Sequence, residues 1–600
     1  MKLTRIYVNN FRNFLEVDIA VSGNLVIVGE NRVGKSNLLF ALRLIFDPNL
    51  PDTARQLGQG DFWDGLDELT DQEKITVFVE LQEFDDDLDL LAQLTDYRLD
   101  DDPDTVRLTY QFRPSPTIEG VPKFDDDYEF LCFGGQSEAK RFGHELRRRI
   151  AMNLLPALRD AEGDLAVWRK SPLKPLLERA FAEVPKEDLV NVRDNVQSAT
   201  EQLAQFLPVE NLERGLRDLF ASLSGPKQNI EPSLGFSTTD VTRLYRNLRL
   251  LIDGGLRTIN DASLGSANVT FLTLKILELQ QLIAENRLDH TLFAIEEPEA
   301  HLHPHLQRTV YRHLFTGLVA EGQSQPLSLF LTTHSPHIAS VAPMRSLALL
   351  RDTESQGTQA TSAATLLLSE TEEEDLARYL DVTRAEMLFA RGIVLVEGDA
   401  EKFLFPVFAK SIGYDLDSLG ISVCSVAGTN FSPYAKFLTC LGIPFSIVTD
   451  WDPRGEGRAP LGYNRSLQLV KTIAEARDGE PKDELITELK QLEDVDVFAD
   501  RCEKYGVFTN TDTLEMDLFW DDDFRGPVLD TLSEFPWGQD RRESIQTWKS
   551  NPQTLDKATF LKMIESIGKG RFAQRLAARS HDVEPPAYIA NAIEFVAKNA

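Results

Sequence analysis

Val394-Leu-Val-Glu-Gly-Asp-Ala-Glu401 and, further on, Ile447-Val-Thr-Asp450-Trp-Asp452-Pro-Arg-Gly455 set acidic residues at the ends of two apolar, β-branched runs. Such runs read as buried strands, and acids gathered at strand ends repel one another unless a cation offsets them. Glu397 can bind a metal ion or, protonated, act as a general acid. Asp450 and Asp452 carry the hard oxygens that magnesium or manganese takes. The plainer alternative is a pair of exposed acidic turns. Glu401 falls just inside an expected helix capped by Asp399, with Pro406 leaving its direction open. Thr509-Asn-Thr-Asp-Thr513-Leu-Glu515-Met-Asp517 adds acids after another strand, and Lys569, in Ile567-Gly-Lys-Gly-Arg571, is a candidate to stabilise a phosphate or its departing oxygen.

A second phosphate-handling signature lies near the start, in Gly29-Glu-Asn31-Arg-Val-Gly34-Lys35-Ser36-Asn37. It follows the apolar strand Asn24 to Val28 and opens a helix reaching Phe46, the context a phosphate loop requires. Gly29, Asn31, Gly34, Lys35, Ser36 and Asn37 are the expected nucleotide-binding residues. Glycine lets backbone N–H groups approach the phosphates, Lys35 reaches the terminal ones, and Ser36 supplies a magnesium ligand. Downstream, the strand Thr291 to Ile295 ends in Glu296 and Glu297. Glu296 suits the magnesium side, and Glu297 suits polarising an attacking water.

These elements resemble the ABC-type ATPase head of RecF- and SMC-like proteins, whose usual first acid is Asp where this chain has Glu296. The resemblance implies that His334, in Thr332-Thr-His-Ser-Pro336, senses the terminal phosphate, and that Ser263 and Gly265 form a degenerate signature loop reaching ATP across a dimer. Gln82 and Gln111 both remain candidates for the glutamine loop. The acidic set resembles the Toprim fold of type II topoisomerases, bacterial primases and several nucleases.

Composition agrees with a folded, multi-domain chain. At 600 residues, 42% hydrophobic and 26% charged, it suggests roughly four units of about 150 residues. The net charge of −32 weighs against indiscriminate nucleic-acid binding, so any DNA path should follow basic stretches such as Arg147 to Arg149, Arg243 to Arg257 and Lys569 to Arg579. No apolar run is long enough for a membrane span, and four scattered cysteines fit a reduced, cytoplasmic protein.

The expected architecture is α/β. Residues 1–136 form the N-terminal lobe of the ATPase head, 137–235 a helical insertion used in dimerisation, and 236–351 the C-terminal lobe. Residues 352–390 are a linker and connecting helix, capped by Thr371 or alternatively Ser369, and 391–600 the Toprim domain. A head followed by Toprim resembles the OLD (overcoming lysogenization defect) family of nucleases, which includes the nuclease subunit of Gabija anti-phage systems. That resemblance implies an ATP-binding, magnesium- or manganese-dependent endonuclease acting on double-stranded DNA, a homo-oligomer (dimer or tetramer), with room for a helicase partner. It implies that Glu397, Asp450 and Asp452 hold a first metal, that Glu401, Thr513 and Glu515 serve a second, and that Lys569 is catalytic. The rival reading is a DNA-clamping repair or sensor ATPase that does not cut.

Overall fold

The computed structural model describes residues 1–118, 120–157, 160–224, 232–234, 246, 248–252, 256–259, 262–318, 326–353, 355–380, 382–455 and 458–600. They form two compact units: Met1–Leu155 with Asp289–Glu299 and Pro304–Ala600, and Pro156–Leu288 with Ala300–His303.

In the first unit, an eleven-stranded sheet among the described residues begins with Tyr128–Gly134, Val106–Pro114, Ile75–Gln82, Lys2–Phe11, Phe14–Ala20 and Gly357–Ser362. It continues through Leu347–Thr353, Leu25–Gly29, Leu327–Thr333, His290–Glu296 and Ile150–Leu155. Neighbours are antiparallel up to Leu347–Thr353 and parallel beyond it. The sequence explains the division. Ile75–Gln82 alternates buried and half-buried residues, as a strand with one core face does, whereas Leu25–Gly29 and Leu327–Thr333 are buried at every residue. The helix Lys35–Phe46 packs Leu38, Leu42 and Ile45 into the core that the sheet lines.

Three expectations about this region are corrected. The first part of the expected linker at residues 352–390 is instead built into the sheet: Leu347–Thr353 and Gly357–Ser362 form a hairpin there. Gly-Thr-Gln-Ala-Thr-Ser lacks apolar alternation, but its β-branched threonines suit a half-buried strand. The head also extends past residue 136, because Ile150–Leu155 pairs in parallel with His290–Glu296. The helix after the hairpin is Glu370–Tyr379, capped by Ser369 rather than Thr371. Ser369 and Glu372 bond each other's backbone N–H groups, a reciprocal cap that stabilises the helix start by about 1 kcal/mol.

Further along the same unit, Ile421–Ser425, Gly392–Val396, Phe445–Thr449 and Val507–Thr509 form a four-stranded parallel sheet in that order. Their C-terminal ends share one edge, where open α/β sheets bind ligands. The helices Asp399–Ser411, Lys569–Ala577 and Ala587–Asn599 enclose a core containing Phe405, Phe408, Phe524, Trp548 and Phe560.

The second unit is helical, with Ala161–Ala166, Leu173–Ala182, Lys186–Ala204, Leu207–Ser224 and Leu264–Ala284. Leu264–Ala284 packs on the first two, and Arg179 bonds Gln281 at 2.8 Å and also Glu285. This helix carries the unit well past residue 235, its expected end. The basic stretch from Arg243 to Arg257 lies partly outside the described residues. No described helix is long and apolar enough to cross a membrane.

Candidate ATP and metal sites

The phosphate loop is built on Asn13 and Lys35. Gly34 has φ 88°, and a Cβ there would lie 2.1 Å from Asn13 Nδ2, so the position demands glycine. Asn13 Nδ2 donates to Val33 O at 2.9 Å, while its Oδ1 accepts from Asn37 Nδ2 at 2.7 Å. Asn37 Oδ1 takes Arg12 Nη1 at 2.8 Å, so this residue braces the loop from behind. Lys35 is buried, with Nζ donating to Gly29 O (3.0 Å) and Glu30 O (2.7 Å). Burial pulls its pKa down to about 8 against the opposing pull of Glu297 and Glu299. Asn31 and Ser36 are exposed at the mouth of the loop.

Glu296 ends its strand in register with Thr332, and Glu297 follows with φ 42°. A non-glycine residue in that region stores about 1–3 kcal/mol of strain, a cost typical of functional sites. Thr332 O holds the turn by accepting Glu297 N–H at 2.9 Å. His334 Nε2 lies 3.7 Å from Glu297 Oε1, and burial, then Lys35, lowers the imidazole pKa. Glu299 was not anticipated as a site residue. Its carboxylate accepts His334 N–H at 2.6 Å and Thr333 Oγ1 at 2.9 Å, fixing the loop that presents the histidine. Gln82 donates to Thr105 Oγ1 and Gln111 accepts from Arg113, so both glutamines are engaged within the antiparallel strands.

In the second unit, Ser263 caps the helix Leu264–Ala284 by accepting Ser266 N–H at 3.2 Å. Gly265 is held where a Cβ would come 2.7 Å from His301 O.

At the edge of the four-stranded sheet, each principal acid is anchored through one oxygen. Glu397 Oε1 accepts Asp450 N–H (3.0 Å), Arg465 Nη1 (2.7 Å) and Thr449 Oγ1. Asp450 Oδ1 accepts Leu514 N–H (3.1 Å) and Asn510 Nδ2. Asp452 Oδ2 accepts Arg465 Nη2 at 3.1 Å, with the backbone at φ 51°. Glu515, 4% exposed, has Oε1 3.0 Å from Lys569 Nζ. Among the described residues, the second oxygens of Glu397, Asp450 and Asp452 receive no protein hydrogen bond, and Glu515 Oε2 is buried without a partner. Thr513 Oγ1 is likewise buried and unpartnered. Glu401 lies inside the helix Asp399–Ser411, whose cap is Gly398; Asp399, the expected cap, is already helical.

This donor set fits divalent ions. Open carboxylate oxygens and an orphaned hydroxyl are what hard cations ligate. The acids also crowd one another in a buried setting, which a proton or a cation relieves. Burial, then Glu515 and Glu397, pushes the Glu401 carboxyl up to about 7. Burial, then Glu397 and Glu401, pushes Asp450 up to about 8. Among the described residues, no group of three or more His, Cys, Asp or Glu side chains is arranged so that it could hold a metal ion as it stands. Arg465 bridges Glu397 Oε1 and Asp452 Oδ2.

Comparison with known proteins identifies the two domains. The family model "Overcoming lysogenization defect protein-like, TOPRIM domain" matches residues 388–452, and that for "AAA ATPase domain" matches 1–153 and 184–339. The chain belongs to the OLD family. Relatives in the family include Endonuclease GajA of Bacillus cereus (strain VD045), 25% identical over 494 residues that span 78% of this chain and 79% of that protein. The OLD nuclease of Thermus scotoductus is 24% identical over 75% of this chain and 82% of its own. The solved C-terminal region of the Burkholderia pseudomallei OLD protein is 42% identical, covering 35% of this chain and 100% of that one, with a TM-score of 0.30.

Within this family member, sequence reasoning overlooked Asn13, Glu299, Thr449, Arg465 and Asn510. Only Thr449 and Asn510 carry a signal in hindsight, since each adjoins a quoted acidic motif at a strand end.

Proposed function

We propose that the protein is a nucleotide-controlled, metal-dependent DNA endonuclease. The observation that carries this reading is the set of acids at one sheet edge, each tethered by one oxygen with the other open, beside Lys569. Magnesium or manganese held by Glu397, Asp450 and Asp452 on one side, and by Glu401, Thr513 and Glu515 on the other, would supply an activated water and neutralise the departing oxygen. The protein's own contribution is placement. Thr449, Asn510 and Arg465 fix the acids, while Glu515 aims the Lys569 ammonium toward the region a scissile phosphate would occupy.

In the head, Lys35 and the phosphate-loop N–H groups would bind the polyphosphate of ATP, and Ser36 and Glu296 would hold its magnesium. Glu297, held in its strained turn, orients water, while His334 reads the terminal phosphate from a loop pinned by Glu299. Ser263 and Gly265 serve a partner copy's nucleotide, so that pairing of heads in a dimer or tetramer controls the Toprim centre. The biological setting we propose is cytoplasmic anti-phage defence, with a helicase-like partner compatible but not required.

Supercoiled plasmid incubated with Mg²⁺, Mn²⁺ or EDTA across an ATP series tests the reading. Cutting should require the ion, vanish in Glu397→Ala, and lose its ATP response in Lys35→Ala. DNA retention and ATP turnover without strand breaks would establish the clamping ATPase instead.

A further inference from the structure

We infer that Arg465 is a positioning residue of the metal centre: it clamps one oxygen each of Glu397 and Asp452 and so presents their opposite oxygens to the ion. The inference rests on the metal-centre reading above and assigns it a residue that no motif contains.

The geometry is specific. The helix Leu461–Asp478 starts directly on the acidic loop, with Leu461 N–H bonded to Asp452 O (3.2 Å) and Gly462 N–H to Trp451 O (2.9 Å). Arg465 sits one turn further along, so its side chain reaches back over the strand ends. Nη1 donates to Glu397 Oε1 at 2.7 Å, to Asp450 O at 3.1 Å and to Thr449 Oγ1. Nη2 donates to Asp452 Oδ2 at 3.1 Å. Its side chain is only 14% exposed, and both terminal nitrogens of the guanidinium are engaged by these acceptors. It thereby joins residues that arrive from two different strand ends. A planar fork can hold two carboxylates at a fixed spacing, which a single ammonium cannot.

The engaged atoms matter most. Arg465 takes Glu397 Oε1 and Asp452 Oδ2, while Glu397 Oε2 and Asp452 Oδ1 stay open. A residue that merely filled the site in the ion's absence would compete with the ion for these acids. Removing it would then tighten ion binding, because a positive charge would leave the neighbourhood. A residue that orients the acids gives the opposite sign, since groups supporting metal ligands typically contribute about 10–100-fold to affinity.

The test is Mn²⁺ binding by the full chain, followed as loss of the free-ion electron paramagnetic resonance signal, in parent, Arg465→Gln, Arg465→Lys and Glu397→Ala proteins. Melting curves in EDTA verify folding. Both Arg465 variants should bind Mn²⁺ about ten- to a hundredfold more weakly than the parent. Plasmid cutting by Arg465→Lys should recover as Mn²⁺ is raised, which a general structural loss would not do. Unchanged or tighter Mn²⁺ binding in a folded variant overturns the inference; if Arg465→Gln does not fold, Arg465→Lys decides. Should the parent's Mn²⁺ binding be indifferent to Glu397→Ala, the metal-centre reading itself fails, and the role of Arg465 with it.

Discussion

Glu30, in the phosphate loop, and Arg391, the residue before the strand that delivers Glu397, form a two-pronged ion pair. Arg391 Nε meets Glu30 Oε1 at 2.7 Å, and Nη2 meets Oε2 at 3.0 Å. Arg351 reinforces the junction by donating to the carbonyls of Arg391 and Gly442. Under the nucleotide control proposed above, movement of the loop would have a direct mechanical route to the strand Gly392–Val396.

Both partners of that pair are about half exposed, so it adds little to stability, on the order of 0.2–1 kcal/mol. Arg391→Ala should melt close to the parent yet show a blunted ATP response in plasmid cutting. A response equal to the parent's would show that coupling runs elsewhere.

Lys35, with its pKa near 8, should make nucleotide binding sensitive to pH. The ammonium form attracts phosphate, so affinity should hold below about pH 8 and decline above it. Titration of a fluorescent ATP analogue between neutral and alkaline pH would reveal this, and Lys35→Ala should bind weakly at every pH.

His290 is fully buried, its Nε2 3.0 Å from Ser328 Oγ, and burial drives its pKa down to about 3. The folded state therefore favours neutral imidazole. Its stabilising contribution is complete above the unfolded value of about 6.5 and is lost as pH falls below it, by about 1.4 kcal/mol per unit. Denaturant unfolding of His290→Gln should show a shallower acid dependence than the parent.

Lys569→Ala strands Glu515, whose other oxygen already lacks a partner. Leaving that carboxylate unpaired should cost about 1–3 kcal/mol in EDTA. A divalent ion should restore much of the loss, visible as a larger Mn²⁺-induced rise in Tm than in the parent, whereas cutting should stay impaired.

The two chemical sites were legible in the sequence to different depths. Gly34-Lys35-Ser36 and Asp450-Trp-Asp452 are local motifs whose chemistry fixes their spacing, and both lie where strand-end logic puts them. Arg465 acts from a helix beyond the acidic loop, and Glu299 acts through the backbone of a later loop; neither follows a spacing rule. Ile150–Leu155 was hidden because it follows a charged helical turn at once, and Gly357–Ser362 because its side chains are polar. In both cases sheet neighbours distant in sequence, rather than local propensity, decide the conformation.

Ile150–Leu155 and His290–Glu296 lie side by side, although Pro156–Leu288, nearly all of the helical unit, is threaded between them. A crossover of that size is almost indifferent to further growth: doubling a flexible connection costs only about 0.6 kcal/mol in closure entropy. The length of flexible chain at this point is thus a nearly free evolutionary variable, adjustable by insertion or trimming while the ATPase sheet on either side keeps its register.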